Sequence, residues 1–359
     1  IYDVAFLGMG ASALATAKLK YKGTSINLIG IDKNYHSKRN NFFAFWLTDW
    51  MKDFDSLAQK KWFCWNFYLT NNHIKHETKD LPYCIIRYQD WKNYCLKGLE
   101  NLSIKEFNVQ SITNLKKYYE IKLENGEEIF AKKIYDSRTP KLENEKVKQH
   151  FFGYLIETKQ MINNNSVTLM DFRVEQKMGL HFMYCLPIDE NRMLVESTVF
   201  SSEIQKDDWY QKQILEYIET KLNLSEYKIV DEEKGALPMY DIENKSTENY
   251  INIGSRGGAT KISTGYAFSF FLKNIMLNLE NINKAHHSYF DKWMDKVFVN
   301  YLKNNSGTEK VFINMAYSLN GNEFGSFMMG VADFPTKLKV IMSMPKIKFI
   351  KSALSTIRN

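Results

Sequence analysis

Apolar runs alternate with glycine-rich and polar breaks from the first residues of the chain. Residues 4–7 read as a buried strand, 11–20 as a helix rich in Ala and Leu, and 26–31 as a second strand closing at Asp32. From about 60 to 235 the pattern changes. Short runs dense in β-branched and aromatic residues (118–123, 129–134, 151–158, 167–174, 180–186 and 193–200) predict strands. Glu124-Asn-Gly-Glu127 predicts a hairpin turn between the first two. The spacing of Trp209, Tyr210, Ile214, Tyr217 and Ile218 predicts a helix over 207–222. Beyond Thr264 helical spacing returns, over 266–279 and again over 289–302. A strand–helix–strand start followed by a mostly antiparallel sheet predicts an α/β chain. Its Rossmann-like nucleotide domain would be discontinuous (1–60, 100–150 and 235–285), with a β-rich substrate lobe from 61–99 and 151–234 and a helical region at 286–359. No internal repeat or low-complexity tract is visible.

The nucleotide reading rests on a motif. Gly8-Met-Gly10-Ala-Ser-Ala13 follows the first strand and opens the helix. Gly8 allows the tight turn, Gly10 lets the backbone approach a pyrophosphate, and small Ala13 lets the helix pack on the sheet. Asp32 ends the second strand, where a carboxylate can accept hydrogen bonds from a ribose. The glycines alone leave FAD and NAD open, but a fingerprint at the chain start with a later substrate lobe is the layout of FAD oxidoreductases. Asp136-Ser-Arg138 follows a predicted strand and either returns the chain to the cofactor or is a polar strand end.

Composition narrows the partners. Aromatic residues make up 14% of the chain, enough to line a large apolar cavity. No run of 18 apolar residues exists, and the first residues do not read as a secretory signal, so no membrane span is predicted. Cys64, Cys84, Cys95 and Cys185 form no CxxC pair, which points to a reducing cytoplasm and no metal site. His73 and His76 lie in a polar stretch and read as a surface loop. The net charge is +7, and six cations with no acid fall within 334–359. The basic character is local, unlike that of a nucleic-acid binder. Pro335 and Pro345 divide this end into two short amphipathic helices. They predict either a peripheral anchor to an anionic membrane or helices packed on the core with solvated lysines.

Taken in order, further segments resemble the lycopene β-cyclase family over nearly the whole chain. They are Asp32-Lys33 after the fingerprint, Asn41-Phe-Phe-Ala-Phe-Trp46, Tyr135-Asp-Ser-Arg138, Gln149-His-Phe-Phe-Gly-Tyr154 with Ile156-Glu-Thr158, and Leu169-Met-Asp-Phe-Arg173. Phe182-Met-Tyr-Cys-Leu-Pro187, Leu194-Val-Glu-Ser-Thr198, Glu233-Lys-Gly-Ala-Leu-Pro238, and Ile253-Gly-Ser-Arg-Gly-Gly258 with Thr264-Gly-Tyr266 follow. Two departures stand out. Many relatives carry His-Pro before Thr-Gly-Tyr where this chain has Lys261-Ile262-Ser263, and residues 41–45 lack the family's Thr-Trp. At the first place Lys261 either substitutes for the imidazole or is neutral.

The resemblance implies an FAD-binding domain of the glutathione-reductase type with an inserted antiparallel sheet. It implies lycopene and related polyenes as substrates, β-carotene as product by way of a one-ring intermediate, reduced FAD, and NAD(P)H as reductant. It places the protein in the cytoplasm, peripherally on the inner membrane. Chemically, an acid protonates the terminal C1=C2 alkene, the C5=C6 bond attacks the cation, and a proton leaves C6, with no net redox change. Glu196 is the expected acid/base: on a strand it shares a face with Leu194 and Thr198, and burial there would raise its pKa. The bland alternative is an exposed strand Glu. Asp171 and Arg173 either support the cation or only hold each other. Gly254, Gly257, Gly258, Thr264 and Gly265 form a second cofactor cluster, where a helix starting near Thr264 would offer N–H groups. The rival readings are a related FAD-dependent monooxygenase or prenyl reductase acting on an isoprenoid, and a binding protein without turnover.

Overall fold

A computed structural model describes residues 1–37, 41–277 and 285–358, with side chains through 356. The end of the helix expected over 266–279 and the stretch from 278 to 284 lie outside the described residues.

The first strand, Tyr2–Leu7, lies at the centre of a seven-stranded sheet. Leu28–Ile31 and Glu128–Asp136 flank it in parallel, and Leu102–Lys105 extends the parallel part. Tyr250–Asn252 also pairs with Glu128–Asp136 in parallel, and the hairpin Tyr119–Leu123 with Val109–Asn114 completes the sheet. Helix Ala11–Tyr21 covers it through Ala13, Leu14 and Ala17. Gly30 on the sheet lies close beneath Met9: a Cβ there would lie 2.6 Å from the Met9 sulfur, which would have to shift. Helix Tyr88–Leu96, which falls in the stretch expected to be β-rich, packs on Ala11–Tyr21. It is pinned by hydrogen bonds from Tyr88 Oη to Met9 O (3.0 Å) and from Trp91 Nε1 to Ala11 O (3.1 Å).

A second sheet runs in the order Tyr227–Pro238, Lys148–Thr158, Arg192–Ser201, Leu180–Pro187, Val167–Asp171, Cys64–Leu69, Asn72–Glu77. Its strands alternate between two different cores, as a period of two requires. Val195, Val199 and Met183 face helix Asp207–Thr220 through Ile214 and Tyr217. Leu194, Phe200 and Phe182 face the main core and the C-terminal helices through Phe312. A small third sheet, Phe42–Trp46 with Tyr83–Arg87 and Lys60–Trp62, sits between the large ones.

His73 and His76 are not in a loop. They lie on strand Asn72–Glu77, where His76 is buried and hydrogen-bonds Trp65 Nε1 and Ala316 O at 3.1 and 2.8 Å. The strand's polar appearance misled because its buried position is filled by an imidazole whose two nitrogens are both satisfied. Among the described residues no group of His, Cys, Asp and Glu could hold a metal, and all four cysteines are free.

Five helices follow: Tyr289–Asn304, Glu309–Ser318, Gly321–Met328, Phe334–Ser343 and Lys346–Arg358. Asn320 caps the third in a reciprocal box with Glu323, and Asp333 caps the fourth, which carries Pro335 in its first turn. Among the described residues no helix is long and apolar enough to cross a membrane.

Candidate active site

The glycine turn fits a dinucleotide. Gly8 has φ +77°, a conformation that strains any side chain. Gly10 is the N-cap of helix Ala11–Tyr21, with no side-chain cap and no acid in the first turn, so the helix N–H groups and dipole point at the mouth of the turn. A Cβ on Gly10 would meet nothing within 4 Å, which leaves open room before the backbone. Ala13 is fully buried against the sheet. Asp32 takes the N–H of Met9 at 2.9 Å on one oxygen and that of Asn34 at 2.9 Å on the other. It braces the glycine turn.

The second glycine cluster meets the first. Gly254 has φ +61° and approaches the helix so closely that a Cβ would lie 2.4 Å from Ser12 Oγ. Gly257 lies against the Asn252 carbonyl, and Gly258 faces open space. The helix expected near Thr264 instead begins at Phe268. Thr264 and Gly265 form a turn whose two N–H groups are already bonded to Lys261 O, at 3.1 and 2.8 Å. Gly265, at φ +76°, breaks the helical path there. What this turn offers instead is side chains. Thr264 Oγ1 and Gln149 Oε1 are buried with no hydrogen-bond partner among the described residues. Such groups are costly unless a ligand satisfies them, so they suit the polar edge of a flavin ring.

Asp136 is buried and its carboxylate is already engaged. Arg138 binds both oxygens (2.9 and 2.7 Å), Tyr250 Oη donates at 2.7 Å, and Arg256 lies at 3.1 Å. Despite the burial, the Arg138 guanidinium holds this carboxyl below its ordinary range. Asp136 is a clamp joining three chain segments. Its neighbour Ser137 makes the contact with the glycine turn, donating to Gly8 O at 2.8 Å.

Glu196 is buried, at 8% exposure, on the inner face of the second sheet. Thr198 Oγ1 hydrogen-bonds its carboxylate, so the face shared by residues 194, 196 and 198 is real. Desolvation first, then the charge of Glu233, push Glu196 up to about 8. Burial likewise pushes Glu233 up to about 7, opposed by a hydrogen bond from Asn41 Nδ2 at 3.4 Å. The register explains the pairing. Gly153 lies opposite Glu196 on one side and opposite Glu233 on the other. A Cβ on Gly153 would sit 3.4 Å from both Glu196 Cβ and Glu233 Cγ. The sequence reading missed Glu233 as a site residue, although it lies in a quoted motif. The usable signal was a glycine in the strand separating two strands that each carry a Glu.

Tyr184 flanks Glu196 on the next strand. Its hydroxyl lies 2.7 Å from that of Tyr83, which lies 3.1 Å from that of Tyr266. Burial, and then further charges including that of Glu196, raise the Tyr184 and Tyr266 hydroxyls far above their ordinary range, so both stay neutral. Trp46 packs on Tyr83 and Tyr266, with ring centroids 4.5 and 5.7 Å apart. Aromatic faces therefore stand between the carboxylate and the Thr264–Tyr266 turn.

Asp171 and Arg173 are not part of this group. Asp171 pairs with Met183, whose side chain belongs to the opposite face, and accepts from Tyr217 Oη at 2.7 Å on helix Asp207–Thr220. Arg173 chelates it, at 2.9 Å to Oδ1 and 2.5 Å to Oδ2, and lies over the Tyr68 ring. Of the two readings of this pair, the geometry supports mutual restraint, because the sheet separates it from Glu196.

An apolar cavity of about 370 Å³ runs among the C-terminal helices. Phe298, Phe312, Met315, Phe327, Val340 and Phe349 line it together with Thr264. Glu196 does not line the cavity. The turn from Thr264 to Tyr266 links the two places. Lys261 and Asp295, both buried, form an ion pair of 2.6 Å beside it, and Ser263 donates to the same carboxylate at 2.7 Å. Lys261 therefore ties the Thr264 loop to helix Tyr289–Asn304.

This architecture is that of the flavoprotein oxidoreductases. A geranylgeranyl bacteriochlorophyll reductase-like protein from Thermoplasma acidophilum aligns with TM-score 0.64 at 10% identity, covering 99% of both chains. A flavoprotein/dehydrogenase from Cytophaga hutchinsonii gives 0.63 at 12% identity, also over 99% of each chain. The halogenase PltM in complex with FAD gives 0.59 at 9% identity, covering 99% of this chain and 85% of that one.

With that fold, the chain belongs to the lycopene cyclase protein family, which matches residues 3–353. A lycopene beta-cyclase from Pseudescherichia vulneris is 28% identical over 155 residues, 41% of this chain and 40% of that protein. A chloroplastic neoxanthin synthase from Solanum tuberosum is 23% identical over 298 residues, 74% of this chain and 57% of that one. The chain thus spans about half the length of these curated relatives.

Proposed function

We propose that this protein is a lycopene β-cyclase that binds FAD at the glycine cradle and closes rings on a long polyene by proton transfer. The observation that carries the reading is Glu196, a carboxyl on the inner face of the sheet that burial keeps protonated near neutral pH. It stands beside the Tyr184 ring, and the chain of hydroxyls from Tyr184 through Tyr83 to Tyr266 leads to the Thr264 turn, which lines the apolar cavity. The cavity holds one arm of the polyene. Glu196 gives its proton to the terminal alkene and takes one back from C6 of the closed ring. Tyr184, Tyr266 and Trp46 present π faces that steady the intervening cation and exclude the water that would trap it. When bound, a reduced flavin would supply negative charge next to that cation. Gly8, Gly10, Ala13, Asp32, Gly254, Gly257 and Gly258 would hold its nucleotide part, and Thr264 and Gln149 its ring edge. Expression in lycopene-accumulating bacteria tests the whole reading: a shift of pigment to β-carotene is expected. Unchanged lycopene with net NADPH or oxygen consumption would favour a reductase or monooxygenase instead.

Two further outcomes are expected. Gly10→Val has an ordinary φ of −74° and open space before it, so the fold should hold while the pyrophosphate is blocked. Its circular dichroism should match wild type while bound flavin absorbance is lost. Anaerobic assays should show turnover with FAD plus dithionite or NADPH and little with oxidised FAD alone; equal rates would reject the need for reduction.

The way in for the substrate is a membrane face. Phe334, Met342, Ile347, Ile350 and Leu354 are exposed on the last two helices, next to the cavity lining. Lys337 and Lys339 pair with Asp291 and Glu323, whereas Lys346, Lys348 and Lys351 make no ion pair among the described residues. Each such cation adds about 1 kcal/mol at an anionic leaflet. Lys346→Glu with Lys351→Glu should reduce flotation with anionic liposomes and leave neutral liposomes unaffected. Unchanged flotation would discard the anchor.

A further inference from the structure

We infer that Glu233 is a proton relay that recharges Glu196 from solvent across the gap left by Gly153. This rests on the cyclisation reading and adds to it a route for the proton.

Glu196 sits on the third strand of the sheet, sealed beneath Thr198 and beside Tyr184. Glu233 sits on the edge strand, Tyr227–Pro238, and is only partly buried. Asp231 and Glu232 adjoin it, and together with Phe42, Leu155 and Leu194 these three acids line a shallow surface cleft. Asn41 approaches Glu233 from the opposite chain segment. The strand between carries Gly153 at this register, so no side chain separates the two carboxyl groups. At that position a Cβ would already touch Leu194 Cδ1 at 3.3 Å as well as both glutamates. Both glutamates thus share the inner face, Glu196 deep within it and Glu233 half-buried at its edge beside the surface cleft, and the intervening glycine leaves them in mutual reach.

Atoms balance as follows. In a turnover the Glu196 O–H bond breaks as a C2–H bond forms, and the C6–H bond breaks as the O–H bond on Glu196 re-forms. Without exchange, the proton taken from C6 is the one delivered to the next substrate. With the relay, that proton passes to the Glu233 carboxylate and then to water, and a solvent proton returns by the same path.

The test is turnover in D₂O with mass spectrometry of the product. Wild type should place one deuteron at C2 of every new ring. Glu233→Gln, which keeps the shape and removes the exchangeable acid, should deliver deuterium in the first turnover only, so multi-turnover product stays almost wholly protiated. Gly153→Val should do the same by filling the gap, and Asp231→Asn should match wild type. Deuterium content unchanged in Glu233→Gln would overturn the relay while leaving the cyclase reading intact. If wild type forms no cyclised product, that reading fails, and the relay is decided in the resting protein by infrared exchange of the buried Glu196 carboxyl. Its H/D exchange should slow about 100-fold in Glu233→Gln, the lower end of what a positioned acid/base contributes. An unchanged exchange rate would reject the relay.

Discussion

Replacing Glu196 with Gln is expected to lower the rate of ring closure by about 10²–10⁴, the usual contribution of a positioned acid/base, while flavin content and fold are retained. Gln keeps the volume and the hydrogen bond from Thr198 but has no proton to give. The substitution should be mild for stability because the native carboxyl is already held neutral. The same fact fixes a pH dependence. The folded carboxyl is raised to about 8 from an ordinary 4.5, so between those values the native state holds a proton that the unfolded chain has released. Stability must therefore fall as pH rises through that window. Denaturation midpoints measured from pH 5 to 8 should show this decline in wild type and a flatter one in Glu196→Gln. Activity should also decline on the alkaline side, where the acid is lost. Full activity in the Gln variant, read as pigment or as product in vitro, would remove Glu196 from the chemistry.

The largest effect on stability is expected at Asp295. Asp295→Ala leaves the Lys261 ammonium buried without its partner, and breaking such pairs costs about 3–5 kcal/mol. The ammonium must then draw water into the packed turn. Lys261→Met combined with Asp295→Leu removes both charges and should recover most of the loss, since the desolvation cost disappears with the attraction. Thermal denaturation of the three variants checks this. An Asp295→Ala protein as stable as wild type would mean the pair is hydrated. Because Lys261 O also anchors the Thr264 and Gly265 amides, the single variant should weaken flavin retention as well.

Much of the architecture follows from local pattern. The strand, Gly8–Gly10 turn, helix and Asp32 are consecutive in the chain, and each is dictated by sterics acting over a few residues. The alternation of Leu194, Glu196 and Thr198 is equally local, and so is the hairpin at Gly126. The segments that eluded sequence reading depend on partners far along the chain. Helix Tyr88–Leu96 joins the nucleotide domain through contacts to residues far back in the chain, among them Met9, Ala11 and Tyr35. His76 reads as polar surface until Trp65 and Ala316 close around it. The helix expected at Thr264 begins later because Gly265 takes a left-handed conformation that the apolar periodicity does not reveal.

By itself, the sequence determined the strand, glycine turn and helix at the start, most strands of the second sheet, the family, and a glutamate on a strand face. Those features are written in short-range periodicity and in residues whose backbone freedom is unusual. Only the tertiary structure decided which face of the second sheet was which, and so separated Asp171 and Arg173 from Glu196 and brought Glu233 to it. Strand register and burial are properties of neighbours tens of residues apart in the chain, and the carboxyl's proton affinity follows from that burial.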